Sequence, residues 1–513
     1  MVVVSACTAL PTDGPPRGGP GGTLPSSLRI GLTSSGSLDP REVDTPESLL
    51  MADQIFDGLI AYDPSTGAAM PSVAERWDVL DDGRRFTFHL REGLTFHDGT
   101  PMAADRFVYA WNRVADPGRP SPYAFLLEHV EGYRAFHVTL EATELTGVRA
   151  TGPTTLEVTL TRPWPDFVAV LGHPALSPLP VAADEGAYSL QPIGNGPYRV
   201  TAQAAPGTPV SLERYEGYLG PSPSVTQAVF TFHATPEEAW PRFLSGDLDV
   251  APIPGAVLTD ALGTYGDRGA GPVGRVLSCG FNQRIARLRS ADLREAFSLA
   301  IDREALVEAV YGGLAEPAAS LVPPGIPGHQ DRACGSGCRL DRDRAAGLVE
   351  GLPEDARRVG LDYSESAVGD KLADALAEQM AQVGLELVPR AHDEASLETL
   401  VRDGKHELFC VVWVGDYPRQ QAFLEPLLYT DAADNHAAVS DEGLDDLLDQ
   451  ARSAQDPGRR EARYQEAERV ALDDLAVVPL AWFRARYAVK QYVDGFVLDP
   501  LGGFDVARLR IAG

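Results

Sequence analysis

Phe409–Pro418, FCVVWVGDYP, is the stretch that decides how the chain is read. Phe409 through Trp413 are apolar or aromatic, rich in β-formers and too few to cross a membrane, so they predict a buried strand. Gly415, Asp416, Tyr417 and Pro418 follow, and that composition makes the chain turn. An acid at the mouth of a buried strand, behind a tryptophan, either caps a turn or holds something positive.

On both sides of this stretch, strand and helix patterns alternate. Leu28–Thr33 predicts a strand. Thr45–Leu59 predicts a helix, with Leu49, Leu50, Ile55 and Leu59 apolar and Pro46 suited to the first turn. Arg85–Leu90 and Thr154–Leu160 alternate at period two, as half-buried strands do, and Ala103–Val114 is amphipathic at helical spacing. Gly194-Asn195-Gly196-Pro197 is a turn. Val225–His233 and Arg275–Phe281 read as strands. Pro236–Ser245, Ala291–Ala300, Arg303–Val310, Lys371–Val383, Gly443–Ala451 and Arg459–Leu472 read as helices. Leu385–Val388 and Ala476–Ala481 close the series as strands. The alternation indicates α/β lobes, and the hairpin-rich Arg85–Leu160 region looks like an inserted subdomain.

Composition bounds the function. At 513 residues the chain exceeds one typical core, so two or three globular units are expected. Hydrophobic content of 44% with 23% charged residues is that of a folded chain. A net charge of −29 argues against nucleic acid, whose binders carry basic patches. No apolar run is long enough for a transmembrane helix. Cys7 follows Val4-Ser5-Ala6 and precedes a Pro/Gly-rich stretch, Pro11–Pro25, that reads as a flexible tether. A small-residue site ending in cysteine looks like a bacterial lipobox, so lipidation at Cys7 is expected. Met1–Ala6 lacks the basic and apolar segments of a leader; a misplaced start, a truncation or a chance cysteine would each explain that. Cys334 and Cys338 enclose Gly335-Ser336-Gly337, flexible enough to close a small disulfide ring. Cys279 and Cys410 each sit in an apolar strand and are expected as inert, buried thiols.

Catalytic signatures are missing. The sequence has no H-E-x-x-H, P-loop or nucleophile-elbow pattern. Gly18–Gly22 lies in the tether and precedes no helix. His129 and His137 read as surface or satisfied histidines, and the acids of Asp441–Asp449 as a solvated helix face. No catalytic residue, metal or cofactor is assigned. Triads dispersed in sequence keep an enzyme open.

From Leu38 onward, motifs in order along the chain carry a resemblance: SLDP (Ser37–Pro40), QIFDGL (Gln54–Leu59), PSVAERW (Pro71–Trp77), FTFHLREGLTFHDGTPMAADRFVYAW (Phe86–Trp111), PIGNGPY (Pro192–Tyr198), LREAFSLAIDREALVEAVYGG (Leu293–Gly313) and WVGDYP (Trp413–Pro418). Together they resemble the family 5 extracytoplasmic solute-binding proteins of ABC importers, the oligopeptide/dipeptide/nickel binders. SPYAF (Ser121–Phe125) and HPALSPLP (His173–Pro180) look most like the oligopeptide subgroup. The resemblance implies an α/β, type II periplasmic-binding-protein-like fold, two lobes with a hinge plus an inserted α+β subdomain in the first lobe. Its expected parts are 1–27 as leader remnant and tether, 28–55, 185–276 and 481–513 as the first lobe, 56–184 as the insertion, and 277–480 as the second lobe.

The resemblance also implies roles. Asp416 matches the acid that holds a peptide's α-ammonium, with Gly415 and Tyr417 in the same motif, and Trp413 matches a pocket wall. Tyr123 and Asp44 match ligand-contacting positions, against plainer readings as a packed tyrosine and a helix-start cap. Implied partners are an oligopeptide, permease and ATPase subunits, and the outer face of the cell membrane through the lipid anchor; a monomer is expected. Two positions depart from the pattern. Cys410 stands where some oligopeptide binders place a carboxylate-holding arginine, and a histidine some of them use falls near Gly369. The ligand's carboxylate is thus without an assigned holder, with Arg419, Arg390 and Arg402 as candidates. Other readings are the same fold with a different solute (oligosaccharide, nickel chelate or haem), or an enzyme on a binding-protein scaffold.

Overall fold

Local rules set many element boundaries. The Pro236–Ser245 helix starts where the Thr235 hydroxyl accepts from the Glu238 N–H and stops at Gly246, which turns left-handed at φ 87°. Ser290 and Asp302 cap the Ala291–Ala300 and Arg303–Tyr311 helices in the same way. In the Arg85–Leu90 strand, Phe86, Phe88 and Leu90 are buried while their neighbours are not, as its alternation predicts. The coordinates come from a computed structural model that describes residues 27–43, 45–181, 188–202 and 207–512. Cys7, the tether and Asp44 lie outside the described residues.

Among the described residues an 11-stranded sheet is the backbone of the molecule. Its path runs Glu386–His392, Arg358–Ser364, Leu408–Val414, Ala270–Phe281, Val478–Val489, Val250–Pro252, Ser27–Leu32, Gln227–Phe232, Val210–Arg214 and Tyr198–Val200, with Ala315–Pro317 added beside Val478–Val489. Ala270–Phe281 and Val478–Val489 are 12 residues each. They carry the sheet from one half to the other: Val489 pairs with Val250 at one end and Val478 with Cys279 at the other. Their register breaks between Pro272 and Val276, where Pro272 faces Arg484 but Val276 already faces Trp482. Such a bulge bends the strand and re-aims its side chains. A separate four-stranded antiparallel sheet lies within residues 74–159.

Three expectations change. The helix predicted over Thr45–Leu59 ends at Ile55, and Phe56 is extended at φ −125°. The reason is tertiary: the Ile55 carbonyl accepts the Asn195 and Gly196 N–H groups at 3.2 and 2.8 Å, and a Cβ at Gly194 would fall 2.0 Å from that oxygen. The GNGP turn therefore docks onto the helix end. Leu408–Val414 is not buried throughout, since Val412 and Val414 are each 43% exposed. That face of the strand is therefore open at Val412 and Val414. Cys279 and Cys410 are not free thiols. Antiparallel pairing sets them directly opposite each other, Cα atoms 4.0 Å apart, and they form a disulfide. Cys334 and Cys338 form a second.

Candidate ligand-binding site

The site is built where the Leu408–Val414 strand ends. The Gly415 N–H donates to the Gly274 carbonyl at 2.9 Å, extending the pairing one residue past the strand. Gly415 must be glycine, because a Cβ there would meet the buried Phe423 ring at 2.3 Å. Trp413 donates its indole N–H to the Ala422 carbonyl at 2.6 Å. Both contacts seat the turn on the Gln421–Leu428 helix, so the backbone at Asp416 is fixed from below. The pleat puts Trp413 on the face opposite Val412 and Val414.

Asp416 itself is half-buried and, among the described residues, makes no ion pair and no side-chain bond beyond its own backbone. Burial pushes its carboxyl up to about 7, the nearby charge of Asp434 pushes the same way, and only its own backbone N–H opposes them. Asp434 is likewise raised by burial. Asp434 is itself half-exposed and lies 3.8 Å from the His436 ring, so Asp416 is the acid of the two without a partner among the described residues, and a cation beside it is favoured. The partly buried Tyr62, whose phenol donates to the Ala169 carbonyl at 2.6 Å, lies close enough to feel both Asp416 and Arg419.

The other expected residues are placed as follows. Tyr417 is buried, its phenol raised well above the ordinary value by burial and by Glu425 and Asp416. Tyr123 donates its hydroxyl to the Val43 carbonyl at 2.7 Å and packs its ring 4.3 Å from that of His173. Each candidate holder of the ligand carboxylate is occupied. Arg419 pairs with Asp166 at 2.9 Å and donates to the Gly67 and Pro418 carbonyls. Arg390 bonds Glu407 at 3.2 Å, and Arg402 pairs with Glu398 on the surface. His129 and Arg452 approach at 3.3 Å, and His137 bonds the Ala115 carbonyl. Among the described residues no group of His, Cys, Asp and Glu is arranged to hold a metal, and no helix is long and apolar enough to cross a membrane.

Sequence reasoning passed over Asp434 and Arg275. Arg275 stands directly across from Val414 in the strand pair. The available signal was a single arginine inside the apolar run GPVGRVLSCGF. Asp434 left no signal, because its approach to Asp416 is made by a loop.

Comparison with known proteins gives a consistent result. Residues 68–435 match the model described as bacterial extracellular solute-binding proteins, family 5 Middle. The periplasmic oligopeptide-binding protein OppA of Escherichia coli (strain K12) is 30% identical over 499 residues, 91% of this chain and 88% of that protein. The probable deoxycholate-binding periplasmic protein YgiS of the same organism is 28% identical over 479 residues, 90% of this chain and 89% of that one. The solved structure of clavulanic acid biosynthesis oligopeptide binding protein 2 superposes with a TM-score of 0.83 at 24% identity, covering 95% of both chains. With the type II periplasmic-binding-protein fold and the match over most of its length, the chain belongs to the family 5 bacterial extracellular solute-binding proteins.

Proposed function

We propose that this protein is the substrate-binding component of a peptide ABC importer, and that Asp416 holds the peptide's α-ammonium. The observation that carries this is the carboxylate of Asp416, half-buried, raised to about 7 and without a cationic partner among the described residues. An ammonium would supply that partner, and every unblocked peptide has one whatever its sequence. A charge-assisted bond in a closed cleft is stronger than one at a surface. Val412 and Val414 offer an open strand face to the rest of the ligand, with backbone hydrogen bonding of the strand-addition kind.

The two lobes divide as 28–55, 185–276 and 481–513 against 277–480, with 56–184 inserted in the first. Closure about the Ala270–Phe281 and Val478–Val489 strands presents the loaded form to the permease, ligand shifting open to closed by its higher affinity for the closed form. The protein returns its ligand intact. Lipidation at Cys7 holds it, as a monomer, at the outer face of the cell membrane. Gly415 and Trp413 act by positioning the turn; Tyr417 supports it from within; Tyr123 and Asp44 serve as further ligand contacts.

Calorimetry with peptides of two to seven residues tests the reading. Binding that depends on a free N-terminus and is lost in Asp416→Asn is the expected result. Equal affinity after N-terminal acetylation would refute the ammonium role. The relative named for deoxycholate makes a non-peptide solute the second reading, and mass spectrometry of co-purified ligand separates the two.

A further inference from the structure

We propose that Arg275 receives a carboxylate of the ligand close to its ammonium end, so that the site favours peptides with an acidic group within about the first two residues. This rests on the reading of Asp416 as the ammonium holder.

Arg275 is the exception among the arginines around the turn. Arg419, Arg390 and Arg484 each have a carboxylate partner, the last at 2.7 Å from Glu316. Arg303, fully enclosed, donates to the Pro479, Ser298 and Cys338 carbonyls. Arg275 has no hydrogen bond or ion pair among the described residues, and its Nε–H is buried without an acceptor. Glu47 is the acid whose charge reaches it, but that carboxylate already accepts the Thr33 and Ser34 hydroxyls at 2.7 Å each. A guanidinium keeps its charge, so leaving its donors unmade is costly.

Geometry says where those donors are directed. Arg275 faces Val414 across the strand pair, and directly opposed residues project to the same face. That face is the open one, as the exposure of Val412 and Val414 shows. On its other side Arg275 falls in the irregular stretch between Pro272 and Val276, where pairing with the Val478–Val489 strand lapses. The bulge frees the residue from the ladder and re-aims it. Asp416 lies two residues beyond Val414, in the turn that ends the same strand. An acid and an arginine without partners among the described residues, one at the end of this strand and one across from its last residue, match a ligand that carries both an ammonium and a carboxylate near one end. Two sources share that chemistry: an acidic side chain at the first or second residue of a longer peptide, and the α-carboxylate of a dipeptide.

Calorimetry on the full chain tests this with Ala-Glu-Ala-Ala-Ala against Ala-Gln-Ala-Ala-Ala, and Ala-Ala against Ala-Ala-amide. At least one pair should show about tenfold or greater preference for the carboxylate. The pair that does so identifies the source. Arg275→Gln should erase the preference while the affinity for the neutral partner stays within about twofold; Arg275→Lys should keep part of it. No preference in either pair with wild-type protein, a comparison that needs no variant, overturns the assignment and leaves the Asp416 reading standing. A preference that survives in folded Arg275→Gln overturns it as well. If none of the four ligands binds, the Asp416 reading falls and this assignment falls with it.

Discussion

Two acids in the second half of the chain are both withdrawn from water, and they are provided for in opposite ways. Glu468, on the Pro457–Asp473 helix, is fully buried and accepts the Leu321 and Val322 N–H groups at 2.8 and 3.0 Å and the Gln330 amide at 2.9 Å. Burial raises its carboxyl, and those three bonds pull it back. Asp416 suffers the same desolvation, gains nothing from another residue, and is pushed further by Asp434. Glu468 ties a loop to a helix and is a structural acid. Asp416 is held on a backbone fixed by Gly415 and Trp413 with no other described residue using its acceptors, an arrangement that burdens the folded state and suits a ligand. The same contrast separates Arg303 from Arg275.

The comparison can be broken by experiment, beginning with the largest effect. Glu468→Leu leaves two buried N–H groups without an acceptor and should cost about 3–5 kcal/mol in urea unfolding, with peptide affinity of the folded protein unchanged. A matching loss of stability in Asp416→Asn would abolish the distinction. Asp416→Asn should instead lower peptide affinity by about 2–4 kcal/mol by calorimetry, with the unliganded protein as stable as wild type or slightly more so.

The pH dependence comes next. Because folding raises the Asp416 carboxyl from 3.8 to about 7, the folded state binds that proton more tightly than the unfolded chain. Its contribution to stability is therefore fully present below about pH 4 and lost as pH rises through about 7. Wild type should lose about 1–3 kcal/mol relative to Asp416→Asn over that window, seen as converging unfolding midpoints. Binding runs the other way. Peptide affinity should weaken by up to about tenfold per pH unit below 7, because the ammonium requires the ionised carboxylate. A flat affinity profile from pH 5 to 8 would contradict the role. At the small end, Arg402→Ala removes an exposed pair with Glu398 and should change stability by less than about 0.5 kcal/mol and peptide affinity not at all. A clear drop in affinity would reinstate Arg402 as the carboxylate holder and undercut Arg275.

Much of this was legible from residues alone. Pro236–Ser245 and Ala291–Ala300 have their predicted bounds because a side-chain cap starts each helix. The Gly-Asp turn behind Trp413 announced itself by composition. Where prediction failed, a distant partner intervened. The Thr45–Leu59 helix stops early because the GNGP turn, far along the chain, claims the Ile55 carbonyl. Cys279 and Cys410, 131 residues apart, become a disulfide only through strand register. Arg419 looked available, and Asp166 and Gly67, 253 and 352 residues earlier in the chain, occupy it.

The sequence by itself determined the alternation of elements, the family, and the acid at the end of the Leu408–Val414 strand, because caps, periodicity and motif order are short-range properties written in neighbouring residues. Tertiary structure alone decided which charges are spent and which are spare. Whether Asp416 and Arg275 meet a partner depends on what the fold brings within about 3 Å of them, and that distance is set by strand register, a bulge and a docking turn.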